Sequence, residues 1–141
     1  MSRQQSELEE VIRGLDNQEG RAGTVKIAAT LIATVGVAIA SACLALAGEH
    51  HTWREVVVAS LLALGISGIA TFLIDRRIGI DPLIAIERSS SLSDSQQLQY
   101  FSALRMACYR TNEESLLRIQ IALTIELAGL VLIMVAACFI L

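Results

Sequence analysis

The chain has 141 residues, 54% of them hydrophobic, with a formal charge of −3 and a mean hydropathy of +0.59. That length suits one domain, and a domain so apolar lacks the polar side chains that a water-facing surface requires. The acidic balance also lacks the basic footprint that binds DNA or RNA, so lipid is the expected surrounding and no nucleic-acid partner is expected.

The first stretch, MSRQQSELEEVIRGLDNQEG, is polar and acidic, unlike the short basic start of a cleaved secretory signal. The first apolar run is therefore expected to remain in the mature chain. Ser6 followed by Glu9 has the spacing of a capping box, and Leu8, Val11, Ile12 and Leu15 share one face of a short amphipathic helix. The reading gives residues 1–23 as a cytoplasmic amphipathic helix that ends near Asn17, with Gly20 to Gly23 turning the chain toward the membrane.

Three apolar segments come next. IAATLIATVGVAIASACLALA (27–47) and VVVASLLALGISGIATFLI (56–74) form a transmembrane hairpin within 24–76, and a third helix occupies 119–141. Each reaches the roughly twenty residues that a hydrocarbon core of about 30 Å demands. The linker GEHHTWRE is too short for a domain and puts Trp53 where interfacial aromatics sit. His50 and His51 are adjacent and so point apart; with Glu49 and Glu55 they form no convincing metal site, and no cofactor is expected. Cys43, Cys108 and Cys138 have no disulfide or zinc spacing and read as small packing residues.

Arg3, Arg13, Arg21 and Lys26 precede the first span, Arg54 alone lies in the hairpin, and the remaining arginines fall between the second and third spans. This asymmetry predicts a cytoplasmic N-terminus, a cytoplasmic connection and an external C-terminus, in a bacterial inner membrane. With no polar residue after Leu141, the last helix is expected to be held at that face by little more than its own carboxylate.

In the connection, 77–118, Asp81 before Pro82 starts a short helix and SSSLSDS breaks it. From Ser93 or Asp94 no Gly or Pro interrupts the chain until Gly129, so one long helix is expected to run into the third span and reach roughly 35 Å beyond the membrane. The expected fold is thus an all-α membrane protein: three transmembrane helices, an N-terminal amphipathic helix and a long cytoplasmic helix continuous with the third span.

Small residues mark the faces where helices meet in lipid. Ala29, Ala33, Gly36, Ala40, Cys43 and Ala47 form a stripe on the first span, and Ala59, Ala63, Ser67 and Ala70 or Thr71 on the second. On the third span Ala122, Glu126, Gly129, Ile133 and Ala136 share a face, which puts a carboxyl among close-packing residues. Glu126, Ala122, Gly129, Gly36, Ala40, Ala63 and Ser67 are therefore the candidate polar and oligomer contacts. Thr24, Lys26 and Thr30 are the candidate partners of Glu126, whose reading stays open between a polar clamp, a pore lining and a proton carrier.

Arg110, Glu113, Glu114 and Arg118 are spaced for i,i+4 ion pairs on a solvated face. Arg76, Arg77, Arg88 and Arg105 lack obvious local partners, and with Tyr109 nearby they are candidate contacts for lipid headgroups or a nucleotide ligand. Neither GxSxG, a P-loop, GxGxxG nor HExxH occurs, so no enzyme is expected.

The segments DNQEGRAGTVKIAATLIATVGVAI and YFSALRMACYRTNEESLLRIQIALTIELAGLVLIM, joined by the hairpin, resemble the Pycsar effector transmembrane family of bacterial anti-phage defence. The resemblance lies in organisation over nearly the whole chain, and no binding residue is carried over from it. It implies an effector that senses a cytoplasmic signal, assembles as a homo-oligomer and impairs the inner membrane. A phage holin or superinfection-exclusion protein, and a non-catalytic subunit or scaffold of a larger membrane complex, are the alternative readings.

Overall fold

A computed structural model describes residues 3–46, 48, 51–75 and 78–140; of Arg3 and Gln4 only the backbone is described. It contains four helices, α1 (Arg3–Leu46), α2 (His51–Leu73), α3 (Pro82–Ser90) and α4 (Asp94–Ile140), and helix is the only regular structure among the described residues. α1, α2 and α4 are each long and apolar enough to cross a bilayer. The chain is an all-α membrane protein. Ala47, Glu49, His50, Arg76, Arg77 and Leu141, and the expectations that rest on them, lie outside the described residues.

The chain divides into two compact units, a span unit of residues 23–75 with 117–141 and a polar unit of residues 1–22 with 76–116. In the span unit the helices meet where side chains are smallest. A Cβ on Gly36 would overlap Leu64 Cδ1 of α2, and one on Gly129 would lie 3.3 Å from the Ser60 carbonyl oxygen. Both glycines thus let α1 and α4 press on α2, where packing rather than water exclusion supplies the attraction. Around this contact Ala40, Cys43, Val57, Leu64, Ile133, Ala136 and Ala137 form a buried core. Outward, Ile27, Leu62, Ile66, Leu73 and Phe139 are exposed, as lipid-facing residues must be. Trp53 and Phe139 stack with centroids 4.5 Å apart.

The second-span stripe differs from the expected one. The buried residues are Val57, Ser60, Leu64, Ser67 and Thr71, whereas Ala59 is exposed and Ala63 half-buried. Leu64 sits on this face because the glycines opposite it leave room for a large side chain. A small stripe on one helix is not needed where its partners supply the glycines.

In the polar unit Leu8, Ala85 and Phe101 pack together, with Ile12, Ile80, Tyr100 and Leu104 around them. Asp81 caps α3 by accepting from Leu83 N at 2.9 Å, with Pro82 in the first turn. α4 opens with the reciprocal half of a capping box, Gln96 Oε1 accepting from Ser93 N at 3.1 Å. Gln97 Nε2 donates to the Ser89 and Leu92 carbonyls and closes the α3–α4 turn. Asn112, 3% exposed, clasps Ile78 from both sides: its Oδ1 accepts from Ile78 N at 2.8 Å and its Nδ2 donates to Ile78 O at 3.2 Å. One buried side chain thereby satisfies the backbone of a segment outside any helix.

The expected end of the first helix near Asn17 is not found, because α1 continues through Gly20 and Gly23 to Leu46, and Ser6 lies inside it rather than at its cap. Neither glycine turns the chain; Gly48 is the glycine with positive φ. Each glycine costs a helix about 1 kcal/mol relative to Ala. That cost is offset by the anchoring of the same stretch: Gln18 and Ala22 are buried, and Arg21 pairs with Glu113 at 2.9 Å.

Gly129→Leu, which drives a side chain into the α2 backbone, should lower the melting temperature of the detergent-purified chain sharply. Gly36→Ala should cost about 1–3 kcal/mol at most, since the group it meets is the end of a flexible leucine. Asn112→Ala, leaving Ile78 N–H and C=O unpaired, should cost about 1–3 kcal/mol per unsatisfied group and open a protease-sensitive site between 75 and 81.

Candidate functional site

The residues that could carry function divide between the two units. In the span unit Ala122, Glu126, Gly129, Ile133 and Ala136 are buried together on one face of α4. Glu126 is 0% exposed, and neither of its carboxyl oxygens has a hydrogen-bond partner. Gly68 of α2 faces it so closely that a Cβ there would stand 3.3 Å from Oε1. Two of the hydroxyls on the same buried face of α2 are turned to their own helix: Ser67 Oγ donates to Leu64 O at 3.1 Å and Thr71 Oγ1 to Ser67 O at 3.0 Å. The carboxyl therefore sits in packed protein with no donor directed at it.

Two of the partners expected for Glu126 are engaged elsewhere. Lys26 forms an ion pair with Asp75, whose side chain is 2% exposed, and its ammonium stands 5.7 Å from the Phe72 ring centroid. Thr30 Oγ1 donates to the Lys26 carbonyl at 3.0 Å. The lysine prefers Asp75 because a buried carboxylate next to an ammonium offsets the desolvation that either group would suffer alone. Gly36, Ala40 and Ser67 are buried within this chain's own bundle, while Ala63 and Ser67 line an open apolar groove of about 500 Å³ with Ala122, Ile121 and Ile125.

Of the expected arginine set, Arg88 and Arg105 are among the described residues. Arg105, expected to lack a partner, pairs with Glu10 of α1 at 2.8 Å, a residue ninety-five positions away that sequence spacing cannot associate with it. Arg88 is exposed in the last turn of α3. Tyr109 is 46% exposed, and its carbonyl accepts from the buried Gln18 amide at 3.3 Å. Of the expected i,i+4 pairs, Arg110 and Glu114 meet at 3.4 Å, whereas Glu113 turns to α1, accepting from Arg21 and Gln18. No cluster of three metal-ligating side chains occurs among the described residues. Gln18, Gly68, Asp75 and Asn112 are the polar or close-contact residues that sequence patterning did not single out.

What these features define is a helical membrane protein with three apolar helices and a polar unit built from the remaining sequence. Set beside known proteins, the chain matches no family model, no curated protein and no solved structure.

Cys108 offers a check on the packing of the polar unit. It is buried, and burial pushes its thiol above the ordinary value, so the reactive thiolate is scarce at neutral pH. Maleimide labelling of Cys108 in the folded chain should be at least tenfold slower than after denaturation in detergent; equal rates would mean that α4 is not packed as described.

Proposed function

We propose that this protein is an oligomerising effector of the bacterial inner membrane, N-terminus in the cytoplasm and C-terminus outside, that impairs membrane integrity in response to a cytoplasmic signal. The observation that carries the reading is the enclosed, unpartnered carboxyl of Glu126. A buried polar group without a hydrogen bond costs about 1–3 kcal/mol in protein interiors, and more if it is charged. Two packings of one helix bundle need differ by only a few kcal/mol to interconvert. A rearrangement that brings Glu126 to water relieves its cost, so the closed bundle carries within it a drive toward an open one.

The distribution of arginines supports the orientation. The resemblance to the Pycsar transmembrane effectors supports the response to a signal, for which cyclic nucleotides are the first candidates. No catalytic step belongs to this reading, and the lipid bilayer and further copies of the chain are its partners.

The test compares wild type with Glu126→Leu and Glu126→Gln by dye release from proteoliposomes and by membrane potential in expressing cells. Glu126→Leu, which removes the unpartnered group, should raise the melting temperature and abolish leakage. Glu126→Gln, polar but uncharged, should fall between. Unchanged potential and viability at high expression, with and without candidate cyclic nucleotides, would overturn the proposal, as would full leakage by Glu126→Leu.

A further inference from the structure

Between α2 and α4 of the span unit lies an open groove of about 500 Å³. Ser67 and Ala122, both buried, form its floor, and the exposed Ile66, Ile121 and Ile125 form its rims. The Ser67 hydroxyl is turned to the Leu64 carbonyl, so the floor offers no free donor. These residues belong to the second and third apolar segments, where the neighbour outside the protein is hydrocarbon.

One end of the groove is charged. Arg118 lines it beside Ile74, the last residue of the second apolar segment. It precedes Ile121 by three positions, about 4.5 Å along the helix, which sets an exposed guanidinium at the depth of lipid headgroups. Sequence spacing pairs Arg118 with Glu114, but Glu114 meets Arg110 at 3.4 Å instead. Among the described residues no other acid forms an ion pair with Arg118.

We propose that this groove is a site for an anionic phospholipid, with an acyl chain along the isoleucines and the phosphate on Arg118. Clefts between transmembrane helices that end in a basic residue suit lipid headgroups, and a guanidinium can meet a phosphate with two parallel hydrogen bonds. A zwitterionic headgroup brings an ammonium that competes for the same phosphate, so a headgroup of net negative charge is the better match. A second copy of the chain is the poorer occupant. Copies inserted alike carry Arg118 at one depth, and a symmetric contact through this face would bring like charges together. The site needs only that α2 and α4 cross a bilayer, so it goes beyond the effector reading and stands or falls apart from it.

The test is quenching of a bimane label by lipids brominated on their acyl chains. The label is placed on Ile66→Cys in a full-length chain whose Cys43, Cys108 and Cys138 are replaced by Ala, reconstituted in phosphatidylcholine vesicles. Half-maximal quenching should need about fivefold less brominated phosphatidylglycerol than brominated phosphatidylcholine. Arg118→Gln should abolish this preference and Arg118→Lys should keep part of it. At Leu31→Cys, an exposed position on α1 outside the groove, the two lipids should quench alike. In the chain with its native cysteines, Arg118→Gln should retain about fivefold less phosphatidylglycerol in native mass spectra, with an unchanged melting temperature because the side chain is exposed. Equal quenching by both lipids at Ile66→Cys, an equal preference at Leu31→Cys, or a preference that survives Arg118→Gln would overturn the site. Failure of either lipid to quench at Ile66→Cys would show protein in the groove and overturn it too. Loss of the preference in millimolar inorganic phosphate would put a soluble phosphate in the lipid's place and overturn the lipid assignment.

Discussion

The span unit depends on the close approach to α2 that Gly36, against the Leu64 side chain, and Gly129, against the α2 backbone, allow. In water, helices gain by hiding apolar surface from solvent; in lipid the surroundings are as apolar as leucine, and the gain comes from close packing. Leu64 is the pivot of that packing, fully enclosed between the two glycines' helices. A gap of about 0.5–1 Å at such a contact already forfeits a quarter to a half of its attraction, so the bundle is sensitive to the size of the side chains at this crossing.

Glu126 has to be judged against that background. It lies one helical turn from Gly129, on the buried face of α4, and a Cβ on Gly68 opposite would stand 3.3 Å from its Oε1. A hydrophobic residue of similar size would leave no unpartnered polar group there. The Lys26–Asp75 pair makes the contrast plain: there a carboxylate of the same unit is equally enclosed and has its counter-charge beside it. The chain has the means to satisfy a buried acid at one position and does not apply them at the other.

The helices were legible in the sequence because length, apolarity and the absence of Pro are local properties. The continuity of α1 was not, since two glycines in a polar stretch resemble a turn when read locally. The signal that resolves it is a longer period. Leu8, Val11, Leu15, Gln18, Ala22, Val25, Ala29, Ile32, Gly36, Ile39 and Cys43 recur at strict intervals of three and four, each buried or half-buried. On α4 the same spacing joins Phe101, Leu104, Cys108, Asn112, Ser115, Ile119, Ala122, Glu126, Gly129, Ile133 and Ala136. Gln18, Asn112, Ser115 and Glu126 hide this repeat from any scale of hydrophobicity, because they are polar residues at seam positions. The ion pairs of Arg105 with Glu10 and of Arg21 with Glu113 join residues far apart in sequence, and no local pattern reveals them.

Polar residues in a helical seam are costly for stability and effective for register. Asn112 and Gln18 each bond to main-chain atoms, which exist at only one height along the facing segment, so sliding by a turn would break them. The polar unit is thus fixed in register by specific hydrogen bonds, and the span unit is seated by the close contacts that Gly36 and Gly129 permit. The span unit, which satisfies Asp75 with Lys26, is the one that holds the unpartnered carboxyl of Glu126.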